Sequence, residues 1–292
     1  MTTARPEDAP TPLVRFGTSS FASEDWVGPF YPAGTRPADF LRYYATQFDT
    51  VEVDSTYYAI PSPRTVDGWV EKTPEHFLLA AKFPRTIVHA GAGAQPDPRL
   101  VLDRDATYAA RDQFLAVMAR LGARLGPLVL QFPYFSKASF ASRGEFLERL
   151  ERFLADLPGG FTYGVEVRNR TWLGPELADL CRRHRAVLVL VDQAWMPHGD
   201  EVEHRLDPVT ADLAYVRLLG DRQKIEAITK RWDREVLDRQ ERLERWAAFL
   251  ERLDARQVRS LVYVNNHYAG HAPATLRRLR ALYLAALRGR SG

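Results

Sequence analysis

The sequence predicts a single-domain α/β protein, a TIM-type (β/α)8 parallel barrel. Three observations carry this. Eight short apolar runs recur along the chain, most of them followed by a helix-like segment. That alternation builds a parallel sheet with right-handed crossovers. Eight such units in 292 residues fit a closed barrel better than an open doubly wound sheet. Third, many of the runs end in a charged or amide residue. Strand faces alternate with period two, so polar groups at many strand ends share one mouth, where such a barrel keeps its chemistry.

The elements follow in order. VRFGTS (14–19) is the first strand, and its single Gly, with no GxGxxG or P-loop elsewhere, argues against a dinucleotide-type open sheet. RPADFLRYYATQF (36–48) reads as a helix with Pro37 near its start. The second strand is 50–54. A helix around Arg64–Lys72 is stopped by Thr73-Pro74, and the third strand is 77–82. A long amphipathic helix over 103–124 closes at Gly126-Pro127, before strand four at 128–132. Helix 142–156 ends at Pro158-Gly159, strand five is 162–167, a helix starts near Pro175, and strand six is 186–191. Residues 193–213 are polar, carry Pro197, Gly199 and Pro208, and read as an insertion. Strand seven is 214–218, followed by a highly charged stretch at 221–234. Helix 235–253 shows Leu237, Leu243, Trp246, Phe249, Leu250 and Leu253 at helical spacing. Strand eight is 260–264, and the last helix runs from Pro273 to about 288. The domain is expected over 13–292, with 1–12 a frayed polar, Pro-rich tail.

Composition bounds the function. The 46% hydrophobic content supports a sizeable core, and a net charge of +3 is too small to imply nucleic acid. The lone Cys181 rules out an intrachain disulfide and reads as a small buried filler. Without a secretory signal or an apolar run long enough to span a membrane, a soluble cytoplasmic protein is expected. The Arg-rich stretches CRRHR (181–185) and LRRLR (276–280) read as solvated outer helix faces.

VEVDSTYY (51–58) puts Glu52 and Asp54 on one strand face. Adjacent buried carboxylates raise one another's pKa and suit acid/base work. YGVEVR repeats the device with Glu166 and Arg168, and LLAAK ends in Lys82, a charge stabiliser or a counter-ion to Glu52 or Glu166. These four, Glu52, Asp54, Lys82 and Glu166, are the catalytic candidates, with Glu166 first choice as acid or base. The ligand-binding candidates are Tyr57, Gln131, Arg168, Asp192, Arg217, Asn265, Asn266 and His267. An anion would fit near Arg217, Arg222, Lys224 and the backbone of Ala272–Ala274, at the start of the last helix. His267 and His271 have Gly270 between them and do not form a helical metal pair, so neither a metal nor a cofactor is expected. Trp26, Phe30, Tyr31, Tyr57, Tyr58, Phe132, Phe135, Trp172, Trp195 and Tyr268 crowd the expected mouth, as in stacking platforms for sugars or bases.

RFGTSSF, VEVDSTYYAIPS, VDGWVEKTPEHF with AAKFPRTIVHA, LGPLVLQFP, YGVEVRNRTW, YVRLLG and YVNNHYAGHAP occur together and in order. Over roughly residues 14–285 this set resembles the domain-of-unknown-function 72 (YecE-like) family. The resemblance implies a TIM-type barrel with a deep polar pocket at its C-terminal face. It marks Glu52, Asp54, Tyr57, Lys82, Gln131, Glu166, Arg168, Arg217, Asn265 and Asn266 as the pocket set. Asp54 stands where that pattern usually has Asn, and Leu219 where His is common, which weakens any mechanism or metal site that needs the His.

The expectation is an enzyme, whether hydrolase, lyase or isomerase, using metal-free acid/base chemistry on a small anionic or sugar-like ligand that could bear phosphate. Two other readings stay open: a nucleic-acid-binding or metal-dependent repair nuclease-like protein, and a non-catalytic ligand-binding barrel. A closed pocket favours a metabolite; a long basic groove favours DNA or RNA.

Overall fold

In the computed structural model, residues 13–91 and 93–290 are described. The tail expected at 1–12 lies outside the described residues. Among the described residues eight parallel strands form one sheet: β1 (Val14–Thr18), β2 (Thr50–Val53), β3 (Leu78–Lys82), β4 (Leu125–Gln131), β5 (Tyr163–Glu166), β6 (Val187–Gln193), β7 (Leu213–Gly220) and β8 (Arg259–Val264). Their order is β1-β8-β7-β6-β5-β4-β3-β2, with helices in the crossovers. This is the expected (β/α)8 barrel, nearly but not fully closed by backbone ladders.

The seam lies between β1 and β2. Gly17 is packed so tightly against β2 that a Cβ there would sit 2.2 Å from the Thr50 carbonyl oxygen. Alongside, the buried Tyr44 hydroxyl replaces ladder bonds. It accepts from Thr18 N–H at 2.8 Å and donates to Thr50 C=O at 3.2 Å. A helix side chain therefore joins the two sheet edges, satisfying polar backbone that burial would otherwise penalise.

Local chemistry sets the helices. Ser62 caps Pro63–Lys72 by accepting from Thr65 N–H, Asp103 caps Arg104–Met118 through Ala106 N–H, and Ser142 caps Arg143–Ala155 through Glu145 N–H. Pro175 opens Pro175–Arg183 at a position where no N–H is needed.

Four boundaries differ from the sequence reading. The helix expected over 36–48 is a 3-10 turn at Pro37–Asp39 and a short α-helix at Phe40–Tyr44. The long helix expected over 103–124 stops at Met118 and continues as 3-10 turns to Arg124, bent where Gly122 takes φ +54°. Strand β4 begins at Leu125 and passes through Gly126-Pro127, because a register shift between Leu79 and Ala81 leaves Pro127 outside the ladder. The helix expected from 235 starts at Gln240, since the N–H groups of Val236 and Leu237 are bound to Ala269 C=O. The 193–213 segment contains a short helix, Gly199–Glu203.

The barrel interior is layered. Ala80, Val129, Val187, Val189 and Leu261 pack with Tyr215 and Tyr263, whose rings lie 4.9 Å apart. Above this apolar plug the inward side chains turn polar. The outer helices pack on the other strand face, where Cys181 is fully buried and its thiol is pushed up to about 12 by burial. Arg183 pairs with Glu151, and Arg278 with Asp238, on the solvated outer helices. Among the described residues no helix is long and apolar enough to cross a membrane.

Candidate functional site

Period two on β2, β3, β4, β5 and β7 aims Glu52, Lys82, Gln131, Glu166 and Arg217 into one layer at the C-terminal end of the barrel. Arg217 is its centre and is 1% exposed. Its Nε and Nη2 donate to Glu52 Oε1 at 3.1 and 2.7 Å, and Nη1 donates to Gln131 Oε1 at 2.8 Å and Glu166 Oε2 at 2.5 Å. Tyr215 O–H donates to Glu52 Oε2 at 2.6 Å. Arg168 Nε donates to Glu166 Oε1 at 2.6 Å, and its Nη1 donates to Gln193 Oε1. On the other side, Lys82 Nζ lies 2.5 Å from Asp54 Oδ1 and 3.7 Å from Glu52 Oε1. The chain of contacts runs Arg168–Glu166–Arg217–Glu52–Lys82–Asp54. Three carboxylates face three cations, which makes burial tolerable.

The carboxylates differ in environment. Burial pushes the Glu52 pKa upward, but Arg217 and Lys82 together overcome it and hold the group down at about 2. Glu166 follows the same logic, with Arg168 and Arg217 outweighing burial to lower it. Asp54 behaves oppositely. Burial raises it to about 6; Lys82 opposes this, and the neighbouring Glu52 charge adds to it. Of these three carboxylates Asp54 alone meets solvent, with 29% of its side chain exposed against 0% for Glu52 and Glu166.

Tyr57, on the 3-10 turn Asp54–Tyr57 after β2, overhangs this layer. Its hydroxyl pKa is raised by burial and responds to Arg85, Tyr58, Arg168 and Glu166. Leu219 caps β7 above Arg217 and packs with the interior apolar residues. Three large aromatics stand out in solvent on the loops after β2, β4 and β6: Tyr58 at 76%, Tyr134 at 63% and Trp195 at 48% exposed. Trp195 Nε1 donates to Arg168 C=O at 3.2 Å, tying it to the charged layer. Trp26, Phe30, Tyr31, Phe132, Phe135, Trp172 and Tyr268, also expected at the mouth, are buried in packing.

Four of the ligand-binding candidates stand apart from this layer. Asp192 points outward from β6, whose Val187, Val189 and Val191 fill the interior. Its carboxylate accepts from Trp246 Nε1 at 2.7 Å, Tyr268 O–H at 2.9 Å and Arg242. Asn265 Oδ1 accepts from His267 N–H at 3.0 Å and meets His267 Nδ1 at 2.6 Å. Asn266 Oδ1 accepts from Trp26 Nε1 and Ala272 N–H. His267 Nε2 lies 3.1 Å from Glu226, its ring meets Trp232, and burial lowers its pKa. These contacts tie loops together. Arg222 is spent on Glu226 at 2.7 Å. Arg217, by contrast, is buried with four of its five N–H groups donating to Glu52, Glu166 and Gln131.

Tyr215, Gln193, Arg85 and Tyr134 were not singled out by the sequence reading. Tyr215 sits two residues before Arg217 on β7, so the same period-two count places it inward. Gln193 ends β6 on the inward parity of Val187, Val189 and Val191, whereas Arg85 opens the short helix Arg85–Val88 and Tyr134 lies on a loop, positions that carry no periodic signal. Among the described residues no group of three or more His, Cys, Asp or Glu is arranged to hold a metal ion.

Comparison with known proteins adds the following. UPF0759 protein YecE of Escherichia coli (strain K12) is 39% identical over 129 residues, 44% of this chain and 41% of YecE. UPF0759 protein YunF of Bacillus subtilis (strain 168) is 26% identical over 165 residues, 56% of this chain and 53% of YunF. The matched stretch thus spans about half or less of these relatives' length. A crystal structure of a DUF72 family protein from Thermotoga maritima superposes with a TM-score of 0.66 at 27% identity, covering 92% of this chain and 98% of that one. A DUF72 family protein from Enterococcus faecalis, at 18% identity and a TM-score of 0.60, shares the fold. The family model described as "Protein of unknown function DUF72" matches residues 15–289, and the chain belongs to that family.

Proposed function

We propose that the barrel mouth is the active site of an enzyme that uses acid/base chemistry on a small, polar, sugar-like ligand. The observation that carries this reading is Asp54. It is a solvent-reaching carboxylate with a pKa of about 6, held 2.5 Å from Lys82 over an otherwise saturated ion network. A group poised near neutral pH is populated in both protonation states and can take or give a proton. Lys82 stabilises the ionised form and orients it. Glu166, fully buried with both oxygens bound to arginines, serves in this proposal as a positioning residue, so the proton-transfer role moves from Glu166 to Asp54.

The exposed rings of Tyr58, Tyr134 and Trp195 support a ligand with a flat or ring-shaped apolar face, since such rings stack on sugars at small desolvation cost. Arg168, partly exposed beside Trp195, supports a ligand with a negatively charged or strongly polar substituent.

The test is a panel of free sugars, sugar acids and sugar phosphates, screened by thermal shift and followed for turnover by proton NMR. At least one compound should stabilise the protein and be converted. Asp54→Asn should bind it with similar affinity and lose about 10²–10⁴-fold in kcat. Binding without conversion in the wild type would leave a non-catalytic barrel, and an unchanged rate in Asp54→Asn would remove Asp54 from the chemistry.

A further inference from the structure

A cavity of about 130 Å³ opens at the C-terminal ends of β6 and β7. One wall is the outward face of Asp192; Gln193, the next residue, turns inward to Arg168. The cavity therefore shares a strand end with the mouth but has its own lining.

Its charges do not cancel. Arg242 is committed to Asp192 through Nε and Nη2, and Asp192 also holds Trp246 and Tyr268. That pair is neutral and saturated. Asp221 uses Oδ1 to cap the backbone N–H of Lys224 at 3.1 Å, and the Lys224 ammonium has no carboxylate partner among the described residues. Arg239 gives Nε to Tyr268 C=O at 2.9 Å and places its guanidinium 5.2 Å from the Tyr268 ring centre. It too has no carboxylate partner among the described residues. Arg239 immediately precedes the 16-residue helix Gln240–Ala255, and its side chain gives that helix no capping acceptor. The first N–H of that helix, Gln240, donates to Asp238 Oδ1 at 2.9 Å, so the side chains of Arg239 and Lys224 supply the positive field.

We propose that this cavity binds the phosphoryl group of a phosphorylated small molecule. Counting Asp221, the lining keeps one net positive charge, and the several oxygens of a phosphoryl group can engage Lys224 and Arg239 together, where a carboxylate offers only two. A volume of about 130 Å³ is about four water volumes at roughly 30 Å³ each, which suits one phosphoryl group and is too small for a nucleotide. The planar Arg239 fork suits two phosphate oxygens, and Lys224 supplies a mobile point charge from the short helix Arg222–Glu226. The use of the site rests on the small-ligand reading of the mouth: phosphate here would anchor a ligand whose remaining atoms reach Arg168 and Asp54. The binding itself does not depend on that reading.

The experiment titrates inorganic phosphate into the full chain at low ionic strength, read by calorimetry and by backbone NMR shifts at Gly220 and Lys224. Saturable one-to-one binding is expected, weakened at least tenfold in Lys224→Ala and in Arg239→Gln. Acetate should bind at least tenfold more weakly than phosphate. Asp54→Asn should keep the phosphate affinity, so loss of turnover with retained phosphate binding would separate failure at the mouth from failure here. Absence of saturable binding, or equal affinity in wild type and both variants, would overturn the proposal. A sugar phosphate that binds no tighter than inorganic phosphate would sever the link to the mouth.

Discussion

Replacing Arg217 by Met should reveal how much of the barrel's stability depends on its polar layer. The side chain is 1% exposed and makes four hydrogen bonds, two to Glu52, one to Glu166 and one to Gln131. Methionine approximates its volume, so the main loss is the counter-charge for two fully buried carboxylates. Removing one partner of a buried ion pair costs about 3–5 kcal/mol. At about 2–4 °C per kcal/mol for a domain near this size, Tm falls by roughly 6–20 °C. The pH dependence identifies the cause. Glu52 is held at about 2, below its ordinary value, so its stabilising contribution is full above the ordinary carboxylate range and is lost as pH falls through about 2. Without Arg217 both glutamates become easier to protonate. The variant should therefore lag wild type most at pH 7, and the gap should narrow as pH falls below about 4.5. Urea unfolding at pH 7 and pH 4 measures this. Adding Glu52→Gln and Glu166→Gln to the variant should restore part of the loss, because neutral groups of like shape no longer need the cation. A loss below about 1 kcal/mol, or one independent of pH, would refute the reasoning and mean that water already compensates these carboxylates.

Two further outcomes follow from the structure. Tyr44→Phe removes the hydroxyl that serves both Thr18 N–H and Thr50 C=O, leaving buried polar backbone unpaired; it should cost about 1–3 kcal/mol and speed amide exchange at Thr18, and unchanged exchange would count against the seam's dependence on that hydroxyl. Asp54, raised to about 6, should titrate there in carbon-13 NMR of aspartate carboxyls. The sign is opposite to that of Glu52: a raised carboxylate contributes stability that is full below its unfolded pKa and is lost as pH rises through about 6. Asp54→Asn should flatten that part of the stability curve, and a titration midpoint at the ordinary aspartate value would contradict the placement.

The legible part of this site was the part governed by period two. Glu52, Lys82, Glu166 and Arg217 sit at strand ends with clear parity, and the structure gathers them into one layer. Asp192 shows the limit. LVLVD is apolar on both faces, as buried parallel strands are, so the run itself does not say which face its terminal residue joins. Its partners Trp246 and Arg242 lie fifty or more residues away. Asn265, Asn266 and His267 had the right residue types at a strand end, but their partners on distant loops are invisible to local pattern. The 3-10 breaks at Pro37–Asp39 and Ala119–Arg124 escaped because apolar spacing continues across a bend.

The side-chain-bridged junction makes β2 a one-flanked strand, laddered to β3 alone. Glu52 and Asp54 are carried by this strand and the turn that follows it, whereas Lys82, Glu166 and Arg217 belong to strands bonded on both flanks. Local opening is easiest where fewest backbone bonds must break. Breathing at this wall would shift Glu52 and Asp54 relative to Arg217 and Glu166 across the barrel, while the β2–β3 ladder keeps Lys82 in step with them. The spacing between Glu52 and the Arg217 guanidinium then becomes a mechanical coordinate of the barrel, set by how firmly one phenol holds two sheet edges together.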